Sequence, residues 1–193
     1  MTVVKIGSSQ TFVGLSSDAK PTAPPAGSIF LETDSGCTYI YDGAAWQLRP
    51  GVGAMGYYVS KSVTFTGAAN LGQAGTTTTL FTVTGQVLVA YLSVFCSVDL
   101  TEAAPTASIA LGVTGSTTLF VAGTSSTTVD ANEFWTTTAP SAVGGVAVPA
   151  AHKDILITAN VIITCATQNT NGGALRADCW WLPVSPTGKL VAA

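Results

Sequence analysis

The sequence contains little charge. Only 9% of its 193 residues are Asp, Glu, Lys or Arg, against about 25% in an average globular domain. The 7 basic residues stand singly, and the formal net charge is −3. A surface that binds nucleic acid needs clustered cations to neutralise several phosphates. We therefore expect no nucleic-acid partner.

Long apolar runs and clustered metal ligands are also missing. The longest apolar run, residues 87–98, is too short to span a bilayer. Residues 1–10 lack the basic and apolar regions of a signal peptide. There is one histidine, and no two cysteines have the close spacing of a zinc site. We expect no membrane association, no metal or other cofactor, and assembly in a cytoplasm.

The cysteines are Cys37, Cys96, Cys165 and Cys179. Three of them lie within apolar strand patterns, which is typical of small buried thiols. A disulfide between Cys165 and Cys179 on neighbouring strands is the alternative, and a reducing cytoplasm disfavours it.

Residues capable of catalysis are present, but no pattern brings them together. A catalytic triad would have to use His152, and a histidine that lies at the surface or anchors a loop explains its position. Asp99, Glu102, Asp130 and Glu133 could supply paired carboxylates or calcium ligands. Nothing in their spacing makes them converge. We predict that the protein is not an enzyme.

Strand patterns dominate the chain from residue 57 onward. Apolar and polar residues alternate, Thr and Val are frequent, and turn residues separate the segments. A parallel α/β fold would need helices between the strands, and helical periodicity is nearly absent. We predict an all-β antiparallel β-sandwich, jelly-roll-like, with an up-and-down barrel as the alternative. The predicted strands are residues 57–66, 76–84, 87–100 (central), 107–113, 117–122, 133–138, 154–166 and 174–184.

The beginning of the chain predicts a separate small module. Residues 21–50 read as a three-stranded β-meander with a turn at Asp34-Ser35-Gly36 and a second turn at Asp42-Gly43, and Asp-Gly is a strong hairpin signal. The predicted strands of this module are residues 29–33, 37–41 and 44–48.

Residues 1–20 predict an extended N-terminal arm that a neighbouring chain orders, with a short edge strand at residues 2–6. A frayed terminus is the alternative. The Gly-rich segment 49–56 predicts the boundary before a sandwich domain of residues 57–193.

Aromatic side chains form the predicted interface. Adjacent strand residues point to opposite faces of a sheet, so one ring of Trp180-Trp181 and one of Tyr57-Tyr58 should face outward. We assign the outward positions to Trp181 and Tyr58. The predicted interface residues are Phe12, Phe30, Tyr39, Tyr41, Trp46, Tyr58, Trp135 and Trp181.

The pattern between Pro25 and Trp46 resembles a module that recurs in accessory virion proteins of tailed bacteriophages. Residues 61–67, 80–85 and 179–193 are similar to β-sandwich domains of such virion proteins. The pattern is carried by Pro25, Ala26, Gly27, Ser28, Phe30, Glu32, Thr33, Asp34, Gly36, Tyr39, Tyr41, Asp42, Gly43 and Trp46.

This resemblance implies a non-enzymatic capsid decoration or cement protein on the virion surface, assembled in the host cytoplasm. It implies a homotrimer that binds the major capsid protein. Such a protein stabilises the shell because a ligand that binds only the assembled state favours that state. The alternative is a head-fibre, tail-fibre or receptor-binding subunit that contacts host glycans.

Overall fold

Regular secondary structure in the described part of the chain is almost entirely β-strand. The structure, a computed structural model, describes residues 9–49, 56–102, 106–141 and 144–193. Within these residues the helical content is two 3₁₀ turns, Ser126–Thr128 and Ala150–His152, so the all-β prediction is confirmed. The strands are β1 (Thr11–Gly14), β2 (Ile29–Glu32), β3 (Thr38–Tyr41), β4 (Trp46–Arg49), β5 (Tyr57–Thr64), β6 (Thr77–Thr84), β7 (Val87–Glu102), β8 (Ser108–Val113), β9 (Ser116–Ser125), β10 (Ile155–Ile157), β11 (Val161–Ala166), β12 (Thr170–Pro183) and β13 (Lys189–Ala192).

Strands β5 to β13 form a body of two antiparallel sheets that share one apolar core. One sheet has the strand order β10-β7-β12-β5, and the other has the order β13-β6-β11-β8-β9. Leu92 and Trp181 of the first sheet belong to the same buried cluster as Phe81 and Ile163 of the second. Burying one such side chain is worth about 1.5–3 kcal/mol, so this cluster holds the two sheets together.

The chain moves between the sheets in a regular way. Strands β5, β7, β10 and β12 lie in the four-stranded sheet, and β6, β8, β9, β11 and β13 lie in the five-stranded sheet. Strands β5 and β12, β6 and β11, β7 and β10, and β8 and β9 are antiparallel neighbours. These four pairs are arranged like the rungs of one long hairpin with its tip at β8 and β9. Along this hairpin, each pair of strands lies in the other sheet from the pair before it.

The predicted central strand is confirmed, since β7 lies between β10 and β12. The side chains of β7 that face the core switch from odd-numbered to even-numbered positions along the strand. Val87 and Val89 are fully buried in its first part, and Leu92 and Val94 are fully buried after it. The cause is a β-bulge, because Trp180 pairs with Tyr91 and Trp181 pairs with Val89, which leaves Ala90 as an extra residue.

The single strand predicted for residues 154–166 is wrong. The structure has two strands there, β10 in the four-stranded sheet and β11 in the five-stranded sheet. The chain crosses between them at Asn160, whose side-chain oxygen accepts a hydrogen bond from Val83 N (2.9 Å) and whose carbonyl accepts one from Thr114 N (3.0 Å). Continuous alternation of residue types does not reveal such a crossing.

Two further features of the C-terminal half differ from the predicted set of strands. Residues 133–138 form no strand, only isolated bridges of Phe134 with Phe95 and Ser141. The tail of the described chain contains β13, which pairs with β6 and buries Leu190 completely. Its apolar pattern is only four residues long, so tertiary pairing rather than local propensity stabilises this strand.

The N-terminal module has the predicted antiparallel meander β2-β3-β4. It has a fourth strand, because β1 pairs in parallel with β2. Residues 11–14 are thus part of the module sheet and not an arm ordered by a neighbouring chain. Residues 15–28 make the crossover that parallel strands require, and Asp34 fixes its start by accepting hydrogen bonds from Ser16 N (2.7 Å) and Ser16 Oγ (2.6 Å). The edge strand predicted for residues 2–6 lies outside the described residues.

Gly173 tests the packing of the long strands. Its φ is +95°, and an added Cβ would lie 2.4 Å from Asp99 O and 2.7 Å from Leu100 Cα, both backbone atoms. Gly115 has a similar φ of +91° and open space around it, which makes it a matched control. We expect Gly115→Ala to cost about 1–2 kcal/mol from backbone conformation alone, and Gly173→Ala to cost about 1–3 kcal/mol more because β7 must shift. Urea unfolding measures both, and equal losses would contradict this close approach of the strands.

Candidate interaction surfaces

Four predicted interface rings pack against one another inside the module. The Trp46 ring centroid lies 6.2 Å from that of Phe12, 6.0 Å from that of Phe30 and 5.4 Å from that of Tyr41. Trp46 Nε1 donates a hydrogen bond to Pro21 O (2.9 Å). Phe30 and Tyr41 are buried, and Phe12 and Trp46 are half-buried. These rings stabilise the module, at about 0.5–1.5 kcal/mol per aromatic pair beyond area burial, and only Phe12 and Trp46 keep appreciable exposed area.

The module packs directly on the body. Cys37 is fully buried and belongs to the body's apolar cluster, and Tyr39 and Leu48 pack against that cluster. Tyr57 Oη donates a hydrogen bond to Thr38 O (3.4 Å). The turn before β3 therefore supplies part of the body core, although the sequence reads as two separate units.

A buried carboxylate, Glu32, joins the module to the last strand of the body. It is fully buried and accepts hydrogen bonds from three side chains. Lys20 Nζ lies 2.7 Å from Oε1, and Lys189 Nζ lies 3.0 Å from Oε1 and 2.9 Å from Oε2. Ser35 Oγ donates to Oε2. Burial raises the pKa of Glu32, but the hydrogen bonds from Lys20, Ser35 and Lys189 outweigh it, and its pKa lies below the ordinary value.

Tyr39 completes this junction. The Lys20 ammonium lies 4.0 Å from the centroid of the Tyr39 ring, and the Lys189 ammonium lies 5.9 Å from it. Burial raises the pKa of Tyr39, and the nearby Glu32 carboxylate raises it further. Tyr39 therefore stays a neutral phenol whose ring faces two cations, and its role in this chain is to support the junction.

The side of the module sheet that faces away from the aromatic rings exposes aliphatic groups. Val13 pairs with Leu31 across β1 and β2, and these side chains are 63% and 38% exposed. Leu15 follows β1 directly and is 49% exposed. We call Val13, Leu15 and Leu31 the module patch. None of these three residues was predicted at the interface, because the predicted interface residues are all aromatic.

A second exposed patch covers the outer side of the four-stranded sheet. The Trp180 ring on β12 stands between Tyr58 on β5 and Tyr91 on β7, with centroid distances of 4.9 and 5.0 Å. Leu156, Leu88 and Leu182 continue the surface, since Leu156 pairs with Leu88 and Leu88 pairs with Leu182 across β10, β7 and β12. We call these six residues the sheet-face patch: Tyr58, Leu88, Tyr91, Leu156, Trp180 and Leu182.

Asp178 orders the polar border of this patch. Its Oδ1 accepts hydrogen bonds from Tyr58 Oη (2.6 Å) and Ser60 Oγ (2.8 Å), and its Oδ2 accepts one from Arg176 Nε (2.9 Å). Burial raises the pKa of Asp178, but these hydrogen bonds and the Arg176 charge outweigh it, so its pKa lies below the ordinary value. The carboxylate is ionised at neutral pH and holds the Tyr58 ring in place beside Trp180.

Two predicted interface residues are inside the core. Trp181 and Trp135 are fully buried, and Trp135 Nε1 donates a hydrogen bond to Thr124 Oγ1 (3.1 Å). The prediction that one ring of Trp180-Trp181 faces outward is confirmed, but the choice of Trp181 is wrong, because the inward register of β12 includes Cys179 and Trp181. Of Tyr57-Tyr58, Tyr58 is the outward ring, as predicted, with 47% exposure.

His152 is a buried loop anchor rather than a surface residue. It is fully buried, and its Nδ1 lies 3.0 Å from Leu92 O. Burial lowers its pKa despite this backbone contact, so the ring is neutral at pH 7. Its position ties the 3₁₀ turn Ala150–His152 to the central strand β7.

Three of the four acidic residues considered for catalysis or calcium binding, Asp99, Glu102 and Glu133, accept hydrogen bonds from backbone N–H or hydroxyl groups. Asp130 N donates to Glu133 Oε2 (3.0 Å), Ala131 N donates to Asp99 Oδ1, and Ser126 Oγ donates to Glu102 Oε2 (2.6 Å). Within the described ranges, no three His, Cys, Asp or Glu side chains are grouped so that they could hold a metal ion.

A surface cleft between β5 and β6 is lined mainly by residues with hydroxyl groups. Among the residues that the structure describes, Lys61 is the one ionisable residue that lines it, and Lys61 Nζ donates a hydrogen bond to Ala193 O. The cleft therefore offers no acid and base pair. In the part of the chain that the structure covers, no helix is long and apolar enough to cross a membrane.

Comparison of the chain with protein-family models gave no match. Comparison with curated proteins gave none, and comparison with solved structures gave none. A functional proposal for this chain therefore rests on the two exposed patches and the buried junction.

Glu32→Gln tests the ionic junction. We expect a loss of roughly 3 kcal/mol of unfolding free energy at pH 7, because two lysines lose their buried counter-charge. The folded pKa of Glu32 lies below its ordinary value of 4.5. Its contribution is therefore present above about pH 4.5 and is lost as the pH falls through the folded pKa. The stability gap between the native protein and the variant, measured by urea unfolding at several pH values, should close in acid. Asp154→Asn, at an exposed residue, is the control, and a pH-independent gap would contradict the ionic role of Glu32.

The cysteines provide a test of core integrity. All four are free and buried. Cys165 lies on β11 and Cys179 on β12, in different sheets, so they are not on neighbouring strands. Burial raises the pKa of Cys37, Cys96 and Cys165 to about 11, and it raises that of Cys179 further. We expect no thiol to react with a disulfide reagent at pH 8 until the protein unfolds. Rapid reaction of Cys37 alone would show that the module separates from the body.

Proposed function

We propose that the chain is a non-enzymatic structural protein of a virus particle, a decoration or cement protein of the capsid surface. The observation that carries the proposal is the pair of exposed apolar patches on a nearly uncharged β scaffold. Exposed contiguous apolar surface marks interaction sites. The module patch contains Val13 and Leu31, and the sheet-face patch contains Leu156, which is 68% exposed.

We propose further that the body is a jelly-roll sandwich. Support comes from the strand pairs β5·β12, β6·β11, β7·β10 and β8·β9, which are those of one long hairpin rolled into two sheets. Eight strands in two such sheets make a jelly roll, an architecture that viral capsid domains share with lectins. Because fold alone does not determine function, the proposed role depends on the surface patches.

In this proposal the module patch contacts the major capsid protein. The module is held to the body by Cys37, by Tyr39 and by the buried Glu32 with its two lysines, so a contact made by the module is transmitted to the whole molecule. Binding only to the assembled shell favours that shell by mass action. The homotrimer and the position on the capsid surface belong to this proposal as consequences of the sequence resemblance.

The geometry of the aromatic residues disfavours glycan binding at Trp180, the outward tryptophan. A sugar stacks on an open ring face. Trp180 is flanked on one side by Tyr58 and on the other by Tyr91, at centroid distances of 4.9 and 5.0 Å. We therefore prefer a decoration protein to a receptor-binding fibre subunit.

Binding to undecorated capsids tests the proposed function. We expect the native protein to co-sediment saturably with expanded, empty capsids of the virus that encodes it, and we expect Val13→Lys to weaken binding about tenfold or more, because a lysine must lose water in an apolar contact. Thr118→Lys adds the same charge at an exposed position of β9 and should bind like the native protein. A variant without the module is unsuitable for this test, because the deletion would remove Cys37 from the body core and expose the apolar side chains that it contacts.

Two results would contradict the proposal. One is a folded native protein that does not bind capsids at any concentration. The other is equal weakening by Val13→Lys and Thr118→Lys, since added charge rather than the module patch would then explain the effect.

A further inference from the structure

We propose that His152 is an acid-sensitive switch: its neutral ring holds the 3₁₀ turn Ala150–His152 against the central strand β7, and protonation of the ring opens the turn. The inference goes beyond the proposed function and does not depend on it. His152 is the one histidine of the chain, and histidine is the side chain whose ordinary pKa lies between about pH 5 and 8.

The surroundings of the ring suit its neutral form. His152 is completely buried, and its Nδ1 lies 3.0 Å from Leu92 O. A neutral imidazole has one N–H, which Nδ1 can donate to this carbonyl. Nε2 is also buried, and it has no hydrogen-bond partner among the described residues. The Phe120 ring lies beside the imidazole, at a centroid distance of 5.9 Å. A protonated ring would therefore carry a second buried N–H without an acceptor, which is costly.

Charged side chains do not compensate a proton on this ring. Burial lowers the pKa of His152, and the backbone carbonyls of Leu92, Phe120 and Thr136 raise it by less. No ionisable side chain contributes to this shift. The titratable residues of the elements around the ring are Tyr91, Cys96, Asp99 and Glu102 on β7, Asp130 and Glu133 before Thr136, and Lys153 and Asp154 after the turn, while β9 and β10 have none.

The ring also joins the turn to the rest of the body. Among the hydrogen bonds of the described residues, its contact with Leu92 O is the one that connects residues 144–153 to another element. The other two hydrogen bonds of this segment lie within the turn. Strand β10, which follows, pairs with β7 through its own backbone. We therefore expect a local opening of the turn that leaves both sheets intact, as in other proteins that open in parts.

The pH range of the switch follows from the direction of the pKa shift. The pKa of folded His152 lies below the ordinary value of 6.5, so the ring binds a proton more tightly once it reaches water. The closed turn is therefore fully stable above about pH 6.5 and loses stability as the pH falls below this value. The equilibrium constant for opening should rise by up to about tenfold per pH unit. Opening uncovers the buried Phe120 ring.

Hydrogen exchange of single amides, measured by NMR at pH 5 and pH 7.5, tests the switch. The amides of His152 and Lys153 donate hydrogen bonds inside the turn and report its opening, and the amides of β11 report the body. Protection is the ratio of the exchange rate of the unfolded chain to that of the folded protein at the same pH. His152→Gln is the matched variant, because its side-chain amide can donate to Leu92 O but takes up no proton in this pH range. An NMR titration of the His152 ring in the native protein needs no variant.

We expect the protection of the two turn amides in the native protein to fall by about tenfold or more from pH 7.5 to pH 5. In His152→Gln their protection should be the same at both pH values. The β11 amides should stay at least about a hundredfold better protected than the turn amides at pH 5.

Four results would overturn the inference. One is a His152 ring that titrates at pH 6.5 or above in the folded native protein, which decides the matter even if His152→Gln does not fold. Another is equal protection of the native turn amides at both pH values. A third is an equal fall of protection in His152→Gln, since another group would then be responsible. The last is equal protection of the turn and β11 amides at pH 5, since the turn would then open only when the whole protein unfolds. None of these results involves capsids, so each leaves the proposed function standing.

Discussion

The buried carboxylate of Glu32 determines how the two parts of this molecule are arranged. An ionised carboxylate without contact with water is costly unless it is paired and hydrogen-bonded. Glu32 meets that condition only when Lys20 of the crossover, Lys189 of β13 and Ser35 of the turn surround it. Since Lys189 lies 157 residues further along the chain, the module has one docked position in which the charge is satisfied. Ion-pair geometry thus adds specificity to the apolar contact made by Cys37, Tyr39 and Leu48.

The exposed apolar groups lie on both parts of this arrangement, the module and the body. Surface charge keeps proteins soluble and separate, and only 9% of the residues of this protein are charged. The protein nevertheless exposes the apolar side chains of Val13, Leu31 and Leu156. Scattered exposed leucines are ordinary, but these groups occur in two patches, each on one side of a sheet. Two such patches on one molecule support the proposed role of joining neighbouring molecules.

The residues of the sheet-face patch show which parts of an exposed surface can be predicted from sequence and which depend on the fold. The sequence correctly marks Tyr58 as outward, because β5 is regular and Tyr57 has an inward register with Val59 and Val63. The sequence does not show which of Trp180 and Trp181 faces outward, since alternation implies only that the two rings lie on opposite faces of the sheet. The neighbouring strand accommodates Ala90 as an extra residue, and cross-strand pairing then places Trp180 between two tyrosines. Leu156 could have been found from sequence, because β10 is apolar at consecutive positions and so on both of its faces.

Local patterns in the sequence are sufficient to predict the all-β class, the hairpins of the module and the central position of β7. These patterns are turns with Asp and Gly, Thr- and Val-rich alternation, and one long apolar run. Three features emerge only from the folded chain: β1 joins the module sheet in parallel, the chain changes sheet at Asn160, and Trp135, Trp181 and His152 are buried. The physical reason is that these outcomes depend on pairing between residues far apart in the chain. A local pattern defines which side chains share a face, but only the partner strands define which face is covered.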